Sequence, residues 1–550
     1  MQTMTILRSE RGVAALIALI MVGMLLLIGL AALSTTEDEA TIAGNEMQEM
    51  RAFYAAEAGL ERAAAQIQSE YDSTGMPPML LPSGTQALNG CDVSFSVVDD
   101  GPAGNETITR GSYAGLYALS KTFSMASVAT NEVDRASVQV SQTFQTLNIP
   151  IFQWAIFYND DLWVEPVYDM NIDGRVHGNG DMFIRSAGSG KTFLFEDRIT
   201  CAGDIHHGFP WVGSAGDVQF TDAQGNAVSM NQGGTWIDSD HPDWRDTAVT
   251  LWGGMVQDQS HGQEALNLPL DGTTDPHKMI ERSAGNPDSF QNKAGFMVID
   301  GVPMAQVAGV WQDVSGVLPA GTITSDGSVD FYDQKEKTNV QTTQIDIAKL
   351  KGSGFFPSNG IIYVSDQRNT GDMPGTSLVN GDEVGAPMTV ATENPLYVTG
   401  DFNTIDKQPV ATMADAITFL SNDWDPALSA SYYRNRVPTP TEVNLCFITG
   451  DVEADVAGHN HQGGLENLPR FLEDWRGREF KIRGSMIQMW HSQYATADYT
   501  YAQYYTAPSR NWGFDTDLED PNKLPPGTPQ VRVFQRTGWK QEYVGYDSEL

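Results

Sequence analysis

Residues 13–36 read VAALIALIMVGMLLLIGLAALSTT, a run without one charged side chain. At about 1.5 Å rise per residue in a helix, such a run is long enough to cross a bilayer. Its flanks are asymmetric: Arg8 and Arg11 precede it, and Glu37, Asp38 and Glu39 come after it. The positive-inside rule then puts the N-terminus in the cytoplasm and the rest of the chain outside. Three readings compete. A secretory signal could be cut near Gly29-Leu30-Ala31, although the run is longer than an ordinary signal core. A plain membrane anchor needs no cut. In the third, a short leader is removed ahead of the run and the helix is kept.

The residues just beyond the run favour the third reading. Residues 42–68 contain no proline. Phe53, Ala56, Leu60, Ala63, Ala64 and Ile67 recur at i, i+3, i+4 spacing, the stripe of an amphipathic helix. Arg51, Glu57, Glu61, Arg62 and Gln66 fall largely elsewhere. The membrane helix is therefore predicted to run on as a helix with a face to bury, over 13–70. The first helix of a soluble domain is the plainer alternative for 42–68.

Residues 8–62 resemble the N-terminal region of PilX-type minor pilins. The residues that carry the likeness are Arg11-Gly12 before the run, Ala43-Gly44-Asn45 after it, and Ala52-Phe53-Tyr54-Ala55-Ala56-Glu57-Ala58-Gly59-Leu60. The resemblance implies a prepilin leader at 1–12, cleavage by a prepilin peptidase between Gly12 and Val13, and N-methylation of Val13. It implies insertion in the bacterial inner membrane, partnership with other pilins and minor pilins through the helix, and later display on a pilus or the cell surface. Bulk pilins carry a glutamate at the fifth mature position, which here is Ile17. Burying a neighbour's new amine without its carboxylate is costly. The departure points to a rare tip or initiating subunit of a pilus or a type II secretion pseudopilus.

Beyond the helix, 53 glycines and 27 prolines suggest many strands joined by tight turns. Residues 69–90 read as a linker. In 91–147, Val93, Phe95 and Val97 alternate with polar residues, as do Val138 and Val140, with Phe144 further on. This stretch, 71–147, is expected to form a small pilin-like α/β head on the amphipathic helix. From 148 to 550 a large β-rich domain is expected. Short apolar runs end in turns such as Gly180-Asp181, Gly203-Asp204, Gly400-Asp401 and Gly450-Asp451. Their recurrence suggests coils of a parallel β-solenoid, with glycine supplying a left-handed corner. A β-sandwich with long insertions is the alternative. Residues 411–421 and 464–475 read as helices.

The net charge of −37 disfavours nucleic acid as a partner. Cys91, Cys201 and Cys446 match no zinc spacing. Asp169-x-Asn171-x-Asp173-Gly174 fits the start of a calcium loop, but Gly180 stands where the loop needs its final glutamate. Asp238, Asp240, Asp243 and Asp246 crowd a second loop. His206-His207 and His459-x-His461 are metal-ligand types at loop spacing. A solvated turn is the plainer account of each. Gly188-Ser189-Gly190-Lys191-Thr192 lacks the glycine of a phosphate loop, having Arg185 there. No nucleophile elbow is present, so the expectation is a non-enzymatic filament subunit without a cofactor. The rival is a membrane-anchored adhesin, binding through its aromatic-rich tail, or a polysaccharide-active solenoid enzyme outside any filament.

Overall fold

A computed structural model describes residues 10–546 apart from 75, 110, 134–135, 269, 271–274, 284, 369 and 501–503. Side chains are described for 12–542 with the same exceptions. Most of the expected leader, Arg8 included, lies outside the described residues.

Helix α1 runs unbroken over Glu10–Thr74. No proline interrupts it, and Pro77 and Pro78 come just past its end. Its C-terminal half lies on an antiparallel sheet built from β1 (Ser83–Leu88), β2 (Cys91–Asp99), β3 (Gly104–Thr107), β4 (Tyr117–Asn131) and β5 (Ala136–Pro150). Ala52, Ala55, Ala56, Leu60, Ala63, Ala64 and Ile67 of α1 are buried against Val93, Phe95, Phe123, Val138 and Phe144, and the buried Tyr71 donates its hydroxyl to Leu147 O. Of the predicted stripe only Phe53 stays half-exposed. Burying Leu60 and Ile67 contributes about 2 kcal/mol each. Gly59 sits where the helix comes closest: a Cβ there would lie 2.5 Å from Ser127 Oγ and 2.7 Å from Val93 Cγ1.

The head takes one more strand from the far end of the chain. Gln530–Tyr546 pairs antiparallel with β5, from Pro150↔Gln530 to Ala136↔Tyr546. The expected division into 71–147 and 148–550 is corrected accordingly: residues 151–529 are inserted between two neighbouring strands of the head sheet. Arg532 of this last strand donates to the Tyr71 and Asp72 carbonyls at the end of α1 and to Leu268 O. Arg536 makes a two-pronged ion pair with Glu61, at 2.7 and 2.6 Å. A cation at a helix C-terminus satisfies carbonyls that have no partner within the helix.

The inserted body winds in coils. Strands β6 (Ile156–Tyr158), β7 (Leu162–Val164) and β8 (Met170–Ile172) make the first coil. The second comprises β9 (Val176–Gly178), β10 (Met182–Ile184) and β11 (Thr192–Phe195). The third comprises β12 (Ile199–Cys201), β13 (Ile205–His207) and β14 (Asp217–Thr221). Equivalent strands pair in parallel, giving three faces: β6–β9–β12, β7–β10–β13 and β8–β11–β14. After Val256–Gln257 has extended the first face, the chain crosses to its opposite end at Phe296–Ile299. It then returns through Ile361–Ser365, Met388–Thr392, Val410–Ala414 and Cys446–Asp451. Finally Met486–Gln488 pairs in parallel with β6. The first and last coils thus meet at a seam.

The recurring Gly-Asp turns have a physical reason in this stack. Asp161 Oδ1 accepts from the Asp181 N–H, and Asp181 Oδ1 from the Asp204 N–H, each at 2.8 Å. Gln259 Nε2 ends the ladder on Asp204 Oδ1 at 2.9 Å. Gly180 and Gly203 do not adopt the left-handed conformation expected of them. They are needed for close approach: a Cβ on Gly180 would meet Asp161 N at 2.7 Å, and one on Gly203 the Gly180 carbonyl carbon at 2.8 Å. Gly400, at φ +80°, does turn a left-handed corner.

The two predicted helices are corrected. Residues 411–421 form the strands Val410–Ala414 and Ile417–Leu420. In 464–475 one short 3-10 turn, Gly464–Asn467, leads to the strand Pro469–Phe471. These strands are buried at every position, so no polar alternation marks them. The aspartate-rich loop instead opens a helix, Trp244–Trp252, with Trp244, Ala248 and Trp252 buried.

Candidate functional site: the exposed helix and the coil turns

The two halves of α1 differ in what covers them. From Val13 to Leu33 the helix has no protein packed on it: Val13 is 60% exposed, Ile17 50% and Leu26 62%. Among the described residues one helix, Gly12–Thr74, is long and apolar enough to cross a membrane. An apolar surface of this extent is stable only in lipid or against other apolar helices. Gly12 and Val13, the expected cleavage position, lie in the first turn of the helix.

The predicted calcium residues do not converge on one point. Asp169, Asn171 and Asp173 alternate along the extended segment at β8, with Met170 and Ile172 buried between them. An i, i+2 step in a strand is about 6.6 Å, so three such side chains are strung out rather than wrapped about one point. Each already has a partner. Asp169 holds Lys191 Nζ and the Thr192 N–H, both at 2.9 Å. Asn171 donates to Glu196, and Asp173 Oδ1 accepts from the Phe514 N–H at 2.7 Å. Lys191 belongs to a turn that enters strand β11 rather than a helix.

His461 Nε2 meets Glu165 at 2.8 Å, and its Nδ1 accepts from Gly463 N–H. His459 stacks on Trp211. His207 lies face to face with Trp236 at 3.5 Å, and burial pulls its imidazole down to about 4. His206 stacks on Phe183 and has Asp240 at 3.4 Å on one nitrogen and Asp181 at 4.0 Å on the other.

Asp181, Asp204 and His206 form the one group of three among the described residues whose ligand atoms lie within 4.8 Å of one another. It joins turns that are separate in sequence: His206, the Asp240 loop and two Gly-Asp corners. The sequence singles out the histidine and the loop but not their meeting, which requires the coil register Met182↔Ile205. The two aspartates are accounted for by the amide and Gln259 hydrogen bonds of the ladder.

A second ionic cluster ties the seam. His491 bridges Asp160 at 3.0 Å and Asp451 at 2.9 Å. Hydrogen bonds to Asp160 and Asp451 hold its imidazolium well above the ordinary 6.5, to about 10. Cys91, Cys201 and Cys446 are all buried, and no disulfide links any pair.

Residues 11–61 match the family model described as PilX N-terminal. The helix therefore carries a PilX-type N-terminal region, and it is followed by a β-rich body. Among solved structures, the competence-associated pilin ComZ from Thermus thermophilus matches at 11% identity and a TM-score of 0.29, covering 90% of this chain and 97% of that one. Comparison with curated protein sequences gives no match.

Proposed function

We propose that this chain is a minor pilin or pseudopilin held in few copies, at the tip or in the initiating complex of a type IV filament. The prepilin peptidase cuts after Gly12, and Val13 becomes the methylated N-terminus. The helix then passes from the inner membrane into contact with other pilin helices. No cofactor, calcium included, is needed for this role, and no enzymatic step is assigned to the chain.

One observation carries the reading. An apolar helix with Ile17 at the fifth position after Gly12 is joined to a head that bears a 379-residue insertion, 151 to 529. A body of that size hung from the head's edge obstructs close stacking of identical subunits. The helix also lacks an acid to pair with a neighbour's amine. Both effects favour a terminal position, where the body has open space. There the coils, read as a parallel β-solenoid, are displayed for adhesion or to promote assembly.

Intact-mass and N-terminal peptide analysis of protein extracted from membranes tests the processing. A methylated Val13 start is expected. A start at Ala32 would make the segment an ordinary secretory signal and remove the filament role.

A further inference from the structure

The seam between the first and last coils closes differently on its three faces. On the first face the β6 ladder closes it. On the second, Glu466 Oε1 accepts from Glu165 N–H at 2.9 Å and His461 reaches Glu165. On the third, β8 faces the strand Ser509–Phe514, and among the described residues no strand pairing joins them. Phe514 N–H to Asp173 pins one end. Toward the other end the gap widens into a cavity of about 470 Å³, walled by the loops that carry Tyr168, Arg476 and Pro508 and by Arg510 at the start of that strand. That is the size of a small-ligand site.

Its chemistry is unusual for a chain of net charge −37. Arg476 is largely exposed, with Asp474 no nearer than 3.8 Å. The Arg510 guanidinium lies over the Trp512 ring, and its hydrogen bond to the Glu466 carbonyl is a long one, 3.4 Å. Its Nε is buried without a partner. A guanidinium is matched best by a planar carboxylate. Asp169, the acid in the lining, is neutralised by Lys191. Tyr168, 69% exposed, adds apolar surface beside the charge. An amphipathic ring of this kind packs on the C–H face of a sugar while its hydroxyl stays wet.

We propose that this seam cavity binds a carboxylated saccharide unit, with its carboxylate on Arg476 and Arg510 and its ring against Tyr168. An acidic peptide fits less well. Arg clusters also hold acidic peptide motifs, but the cavity is of small-ligand size and sets an exposed tyrosine ring beside the cations, which suits a sugar ring better than an acidic side chain. The site is a property of the isolated chain, so it stands or falls independently of incorporation into a filament.

The test is calorimetric titration of the full chain in detergent with digalacturonate and with sialyllactose, against lactose and tetraglutamate. At least one carboxylated sugar should bind at least tenfold more tightly than lactose, and added salt should weaken it. Arg476→Gln and Tyr168→Ala, both at exposed side chains, should each weaken binding at least fivefold with unchanged circular dichroism. The proposal is overturned if neither carboxylated sugar binds up to about 10 mM, if lactose binds equally, if tetraglutamate binds more tightly than both sugars, or if both variants bind like the parent.

Discussion

In the head, β2 buries every second residue, Cys91, Val93, Phe95 and Val97. In the coils, Ile361–Ser365, Met388–Thr392 and Val410–Ala414 are buried at every position. The head sheet has one face on α1. The first coil face has the coil interior on one side. On the other it has a layer that includes Leu266, Leu268, Met279, Ile280 and Phe290. A half-covered antiparallel sheet writes its burial into the sequence as alternation, and a doubly covered parallel sheet erases it. The two regions also depend on different parts of the chain. The head is completed only by a strand almost four hundred residues away, and the coils by register between neighbours.

The largest expected effect separates these dependences. Ending the chain after Pro529 removes Val531, the Phe534 ring stacked on Phe144, and the Arg532 and Arg536 contacts to α1. Limited proteolysis should then cut within 75–150 while fragments of the coils survive. If head and coils are lost together, they are one cooperative unit and the contrast fails.

Next comes Gly59→Leu. Overpacking of this kind costs about 3 kcal/mol, and it should register as a lowered denaturation midpoint of the head signal alone. A smaller effect, about 1 kcal/mol, is expected for Asp181→Ala, which leaves the Asp204 N–H without its acceptor. It should be visible in hydrogen exchange at the neighbouring coils and leave the head unchanged.

The smallest effect is pH-dependent. The folded-state value of His491 is raised above its ordinary one, so its contribution is complete below about pH 6.5 and fades as pH climbs through about 10. The side chain is 40% exposed, and solvent screening limits the effect to about 1 kcal/mol. His491→Gln should therefore lower thermal stability at pH 6 and match the parent above pH 10. A gap that stays constant across that range would show that the seam does not depend on the imidazolium charge.

The helix and its seat are legible in the sequence, because a long uncharged run and a 3.6-residue stripe are local signals. Five of the six residues of that stripe, from Ala56 to Ile67, are buried. The Gly-Asp recurrence points to the turns and gives the right task to Gly400, but misassigns it at Gly180 and Gly203. Whether a Cβ meets the preceding coil depends on register, which a single sequence does not display. ATMADAITFL reads as a helix because apolar runs buried on both faces carry no period. The final strand cannot be placed from sequence, since its partner β5 lies 380 positions earlier at Pro150↔Gln530. The seam cavity is hidden for the same reason: Tyr168 and Arg476 come from two distant loops and Arg510 from the strand Ser509–Phe514.

Under the proposed function, a pilin-type helix carries this body at low copy number in a filament. Quantitative proteomics of sheared filaments from wild-type cells, counted against the major subunit, tests it most directly. This chain should be present in sheared filaments, starting at Val13, at a small fraction of the major subunit. Abundance equal to the major subunit, or absence from filaments with the chain retained whole in the membrane, would contradict it.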